Sequence, residues 1–341
     1  MSKKIAMLTG GGDCPGLNPV IRAITRKGLQ LGYEMIGVRD GWKGMIDKNV
    51  IPLNRDAVAG IVQRGGTILG TSRTNPRKME GAVDKIFRNF KDLGLEALIA
   101  IGGDDTLGVA HDLFKKGLNT IGVPKTIDND LPGTDYTFGF DTAVNIVMEA
   151  IDRLHTTAES HHRVLVVEIM GRHAGWIALH AGMAGGADYI LLPEFSADLN
   201  EVAGTIRKRH EAGTTFSIIA VAEGYKASGK DVISSQELDS FGHVRLGGIG
   251  EQVAKALEKI TGYETRHVVL GHIQRGGSPT AFDRVLGTRL GLKAVELVQK
   301  GEYGKMVALK GTEIVALDIE TVTKQKLVTQ ALYDEAKVFF G

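Results

Sequence analysis

Residues 5–32 read IAMLTGGGDCPGLNPVIRAITRKGLQLG. An apolar run, Ile5–Leu8, enters a glycine cluster, and a helical pattern follows. Apolar runs without polar alternation mark strands buried on both faces, the habit of parallel sheets. Asn18 is placed to cap the helix, and Pro19 suits its first position. Ile21, Ile24 and Leu29 form its apolar side, and Gly32 stops it. The stretch is therefore a strand, a glycine turn and a helix.

The same unit recurs along the chain. Ala97–Ile101 runs into GGDDTLG, Val164–Ile169 into MGRHAG, Phe216–Val221 into AEG, and His267–Leu270 into GHIQRGG. Amphipathic stretches between the runs are suited to covering both faces of a sheet. This pattern predicts an α/β fold with mainly parallel sheets. Ligands in such folds bind at the carboxyl ends of strands, so the glycine clusters are expected to edge one or two sites. Arg22 and Arg26 share a helical face, read as a solvated basic side, with an anion site as the alternative. A polar stretch over 224–250 reads as an excursion from the core.

Composition narrows the function. The chain has 341 residues, long enough for two domains, with 43% hydrophobic and 24% charged residues. Its formal charge of +1 gives no support to nucleic-acid or membrane binding. The single cysteine, Cys14, allows no internal disulfide, which suits a reducing compartment. The apolar start is too short for a secretory signal, and no later run reaches a membrane-spanning length. The expected location is the cytoplasm.

Four groups of residues carry chemistry. The first is Thr9–Gly16 before a helix, where glycines let backbone N–H groups approach phosphate oxygens. It is neither a Walker A loop nor a G-x-G-x-x-G fingerprint. The second is Gly102-Gly103-Asp104-Asp105-Thr106: glycines admit phosphate, and carboxylates suit a hard cation such as Mg²⁺. The third is Pro124–Asp130, PKTIDND. If it is extended, Thr126, Asp128 and Asp130 share a face, and a carboxylate there can take a proton from an attacking hydroxyl. Lys125 adds a positive charge. The fourth is basic: Arg163, Arg172, Arg266, His272 and Arg275, whose forks and rings match phosphate. The histidines lack zinc spacing, and Cys14 reads as an ordinary loop residue.

Taken together, GGDCPGLNPVIR, GGTILGTSR, IGGDDTLG, PKTIDND, MGRHAGW, VAEG and ETRHVVLGHIQRGGSP resemble the 6-phosphofructokinase family in order over about residues 3–300. The resemblance implies two Rossmann-like α/β domains with the active site in the interdomain cleft. The expected division is 1–138 plus about 251–300 for the phosphoryl donor, and 139–250 plus about 301–341 for the sugar phosphate. It implies Asp128 as base for the sugar 1-hydroxyl, accompanied by Thr126 and Asp130. Met170, Gly171, Arg172, Glu223, His272 and Arg275 would hold the sugar phosphate. Arg163 and Arg266 would reach in from a neighbouring subunit of a homotetramer or homodimer. Gly12, Arg73, Gly103, Asp104 and Thr106 fall on the donor side, with Asp104 as the Mg²⁺ aspartate. The implied reaction belongs to glycolysis and gluconeogenesis. Arg22, Arg26 and Arg55 fall where allosteric bacterial members carry effector-binding arginines.

Two departures bear on the donor. ATP-using members show GGDG[ST] and GTIDND, whereas this chain has Asp105 and Lys125. That pair is the pattern of the pyrophosphate-dependent branch. Asp105 would put volume and negative charge where a nucleotide's α-phosphate lies. Two unit charges ~4 Å apart at an effective dielectric of 20 repel by about 4 kcal/mol, on the order of 10³-fold in affinity. Lys125 is expected to pair with Asp105 and contact pyrophosphate. The alternative is an ATP-dependent 6-phosphofructokinase.

Overall fold

A computed structural model describes residues 3–226, 233–235, 245–320 and 325–341. Most of the 224–250 stretch lies outside the described residues. The first half runs β1 (Lys4–Thr9), α1 (Leu17–Gln30), β2 (Glu34–Val38), α2 (Gly41–Asp47), β3 (Val50–Leu53), α3 (Ala82–Asp92), β4 (Leu95–Gly102), α4 (Asp104–Lys115) and β5 (Thr120–Pro124). Then follow α5 (Phe140–His161), β6 (Val164–Ile169), α6 (Trp176–Ala184), β7 (Tyr189–Leu191), α7 (Leu199–Glu211) and β8 (Ser217–Ala222). The chain continues through β9 (Ile233–Ser235), β10 (Arg245–Leu246), α8 (Ile249–Thr261), β11 (Thr265–Val269), α9 (Ala281–Lys300), β12 (Lys305–Lys310), β13 (Glu313–Asp318) and α10 (Gln330–Lys337).

Two sheets organise the fold. The larger has the order β13-β12-β5-β4-β1-β2-β3, and the smaller β11-β6-β8-β7. The smaller is parallel throughout. The larger is parallel except where β3 and β13 fold back on its edges. All five apolar runs form strands in it or in the smaller sheet. In β1 the alternation is between two cores: Ile5 and Met7 join one and Ala6 and Leu8 the other. That is why the run carries no polar residue.

The chain is partitioned differently from the expected division. β11, within 251–300, joins the smaller sheet beside β6, with Thr265 opposite Val164. The cause is α8 before it, whose Ile249, Val253 and Leu257 are buried with Val164, Val166 and Ile219 in the core of that sheet. β12 and β13, within 301–341, join the larger sheet instead, β12 lying parallel to β5. Met306 and Ala308 enter one of its cores, and Val307 and Leu309 the other. α9 packs on α1 and β12, on the larger sheet as expected.

Asn18 is also corrected. The helix begins at Leu17, and the residue before it, Gly16, has φ of 107°. The Asn18 amide is buried and donates to Arg64 O at 3.0 Å and Gly65 O at 3.1 Å, while its Oδ1 accepts from Ile68 N at 2.9 Å. A side chain that satisfies a neighbouring loop this fully is not available to cap its own helix.

Candidate active site

The larger sheet reverses its winding between β1 and β4. The chain goes from β1 to β2 on one side, and β4 lies on the other. Loops leaving the two strands therefore splay apart and open a crevice at their carboxyl ends. Gly10 N donates to Ile101 O at 2.9 Å, and Lys125 N to Gly102 O at 2.9 Å, which holds the ends of β1, β4 and β5 level. Asp104 and Asp105 form the first turn of α4, where the helix dipole favours negative charge. The buried Lys125 ammonium donates to Gly12 O at 2.7 Å. Burial pulls its pKa down, as do Arg275 and Arg172, against the pull of Cys14 and Asp128. Asp105, the expected partner of Lys125, lines the same cleft. Arg275 closes over the loop of Gly12. A Cβ at Gly12 would come within 2.6 Å of its guanidinium, so a side chain there would push Arg275 aside.

The opposite wall comes from the smaller sheet, again at strand ends. Glu223, just beyond β8, accepts from Gly171 N at 3.2 Å and Arg172 N at 2.9 Å, both just beyond β6. Burial raises its pKa, and these backbone bonds oppose that rise. Gln274 accepts from Met170 N at 3.2 Å. Arg172 has φ of 54°, a left-handed conformation that non-glycine side chains rarely adopt. Its carbonyl lies so close to Gly224 that a Cβ there would stand 1.9 Å away. Burial opposes the charge of Arg172, but Asp128, Asp104, Asp130 and Asp105 outweigh it and raise its pKa.

Between the walls lies the PKTIDND segment. Thr126, Asp128 and Asp130 all line the cleft, although the backbone is not simply extended. Asn129 has φ of 52° and turns the chain between the two aspartates. Asp128 is 5% exposed, and among the described residues its Oδ1 has no hydrogen-bond partner. The pKa of Asp130 is raised to about 7, first by burial and then by the charges of Asp128 and Asp104. The lining of the cleft carries four carboxylates, Asp104, Asp105, Asp128 and Asp130, against four cations, Arg73, Lys125, Arg172 and Arg275. Gly103 and Thr106 complete the donor edge.

His272 is exposed on the short helical turn Gly271–Arg275, which also carries Gln274 and Arg275. Two predicted residues lie away from the strand ends that form the cleft. Arg163 precedes β6 and Arg266 lies near the start of β11, at the amino ends of the strands whose carboxyl ends carry the site. Both arginines pair with Glu264, at 2.8 and 2.6 Å. Sequence reasoning missed Gln274, although it sits inside the quoted HIQR.

A charge-balanced cleft with two glycine loops and a buried carboxylate oxygen left without a partner among the described residues suits the transfer of a phosphoryl group. The phosphofructokinase family matches residues 4–298, and the chain belongs to that family. It is 58% identical to the pyrophosphate--fructose 6-phosphate 1-phosphotransferase of Streptomyces coelicolor, over 99% of this chain and 100% of that protein. It is 50% identical to ATP-dependent 6-phosphofructokinase 3 of the same organism, over 98% of this chain and 99% of that protein. The crystal structure of a pyrophosphate-dependent phosphofructokinase from Marinobacter aquaeolei is similar in fold, with a TM-score of 0.83 at 20% identity, covering 99% of this chain and 92% of that one.

Proposed function

We propose that the protein transfers a phosphoryl group from pyrophosphate to the 1-hydroxyl of fructose 6-phosphate, giving fructose 1,6-bisphosphate and phosphate, and that it works in both directions. Asp128 is the observation that carries this reading. Its Oδ1 is buried without a protein partner among the described residues and lines the same cleft as the donor loops. A carboxylate so placed accepts the proton of a sugar hydroxyl as that oxygen attacks phosphorus. Arg172 neutralises the charge that gathers on the phosphoryl oxygens, and Lys125 and Arg73 hold the donor.

Mg²⁺ fits the donor edge. Hard oxygen ligands are present at the opening of α4, and no group of three metal-ligating side chains is found among the described residues. Mg²⁺ is commonly held by one or two carboxylates together with phosphates and water. Asp104 would hold it, and the ion when bound supplies positive charge to the donor's phosphates. The four-against-four charge count leaves the added phosphate charge to be offset by such a cation.

Pyrophosphate is favoured over ATP by Asp105, which crowds and charges the position beyond the two donor phosphates. The relative named for pyrophosphate is also closer than the one named for ATP. The reading extends to a cytoplasmic homotetramer or homodimer in which Arg163 and Arg266 complete a neighbour's sugar-phosphate site. Their distance from their own cleft supports this. The test is kcat/KM with Mg-pyrophosphate and with Mg-ATP for wild type and Asp105→Gly. Wild type should favour pyrophosphate, and Asp105→Gly should shift the ratio toward ATP. Efficient ATP turnover by wild type with negligible pyrophosphate turnover would overturn the assignment.

A further inference from the structure

The segment Gln325–Thr329 crosses behind the loop that carries Asp128, and nothing in the reaction as described uses it. Lys326 N donates to Asp130 O at 2.7 Å. The Lys326 ammonium donates to Asn129 Oδ1 at 3.1 Å, Thr134 O at 3.2 Å and Asp135 O at 2.8 Å. Gln325 reaches Asp130 Oδ2 at 3.3 Å. The same segment is tied to the opposite wall. Trp176, which ends the MGRHAGW motif, donates from Nε1 to Lys326 O at 2.8 Å, and its ring lies 5.0 Å from the ammonium. Val328 N and Gly175 N both donate to Glu194 Oε1, at 3.1 and 2.9 Å. One short segment thus spans the loop bearing the base and the loop bearing Arg172.

We propose that Lys326 is a positioning residue for phosphoryl transfer, its ammonium fixing the left-handed turn at Asn129 so that Asp128 faces the sugar hydroxyl. Asn129 adopts φ of 52°, and its side-chain oxygen accepts from Thr137 N at 3.1 Å as well as from Lys326. Three acceptors of one ammonium, spread from Asn129 to Asp135, tie both ends of the loop to a single point. Neutralising that point frees the turn and leaves the sugar-phosphate contacts in place. A misplacement of about 1 Å at a reacting group costs on the order of 10²-fold in rate.

The charged groups facing the ammonium are Asp130 and Asp135 on the loop, Lys310 at the end of β12, and His180 on α6. Burial pulls its pKa down to about 8, Asp135 and Asp130 oppose that fall, and Lys310 adds to it. The ammonium is therefore charged below about pH 8 and loses its proton as pH rises through that value. An arginine at 326 stays charged throughout.

The inference rests on the proposed activity, and the test separates the two. Turnover of fructose 6-phosphate with Mg-pyrophosphate is measured for wild type, Lys326→Met, Lys326→Arg and Lys326→Cys before and after alkylation with 2-bromoethylamine. Alkylation rebuilds an ammonium at 326, and Cys14 is fully buried and so protected. Lys326→Met should lose roughly 10- to 100-fold in kcat with KM for the sugar changed little. Alkylated Lys326→Cys should recover most of that loss. In Lys326→Arg the alkaline fall of kcat should move to higher pH. Should Lys326→Met not fold, the wild-type and Lys326→Arg pH profiles decide: superimposable alkaline limbs overturn the proposal. So does a Lys326→Met enzyme that keeps wild-type kcat. A wild type with no turnover refutes the functional reading itself.

Discussion

Asp128 and Asp105 carry the heaviest roles in the proposed reaction, and both stand out in the sequence because they sit in motifs with a physical logic. Thr126, Asp128 and Asp130, spaced at a period of two, all line one cleft, although the extended backbone that the period assumed is broken at Asn129. Replacing Asp128 with Asn keeps the shape and removes the base. The expected loss is roughly 10²–10⁴-fold in kcat with sugar KM little changed, read from steady-state kinetics. Retention of near-wild-type kcat would remove Asp128 from its role. Gly224 yields a prediction of another kind. An alanine there would place Cβ 1.9 Å from Arg172 O. The backbone must shift, and with it the loop from Gly171 to Arg172 that Glu223 holds. Gly224→Ala should raise KM for fructose 6-phosphate more than it changes that for pyrophosphate.

At the scale of elements, the apolar runs announced the central strands, because a strand buried on both faces has no room for polar residues. Most edge strands were silent; β11, also an edge, was read as an apolar run although Arg266, His267 and Val269 on it are exposed. β3 contains Pro52, and β13 is only half-buried, so neither is a plain apolar run. Nor does a strand's own sequence say which sheet receives it. β11 follows the helix before it, and α8 had already committed to the smaller sheet. Asn18 was misread because a cap and a loop staple have the same local sequence. Where α5 and α9 begin, Asp283 accepts from Thr142 N at 2.8 Å and from Thr142 Oγ1 at 2.5 Å. It is fully buried. Its pKa is raised to about 6, chiefly by burial, with the bonds from Thr142 and Gly139 opposing and Asp141 adding to the rise. The folded state therefore holds this proton more tightly than the unfolded chain, whose Asp titrates near 4. Stability from this group is full below about pH 4 and is lost as pH rises through about 6. Relative to Asp283→Asn, wild type should lose about 2–3 kcal/mol between pH 4 and 7 in urea unfolding. Parallel pH dependences for the two proteins would contradict this.

The whole molecule gathers its chemistry at one end of both sheets and places Arg163 and Arg266 at the other end of the smaller one. If these arginines serve a neighbour, sites are shared between chains. An Asp128→Asn chain mixed with an Arg163→Ala chain should then form hybrid oligomers with more activity than either parent. A hybrid interface joins the good base of one chain to the good arginine of the other. An active monomer, measured by sedimentation during turnover, would exclude sharing.

The chain closes its larger sheet with its own tail. β5, near residue 120, gains its outer neighbour only when β12, beginning at Lys305, has arrived. During vectorial synthesis from the amino terminus, the edge of β5 is bare for the length of an entire second sheet. An uncovered strand edge invites pairing with other chains. Ribosome-bound nascent chains ending before residue 305 should therefore need holding by chaperones, and release from them should coincide with emergence of the β12–β13 hairpin.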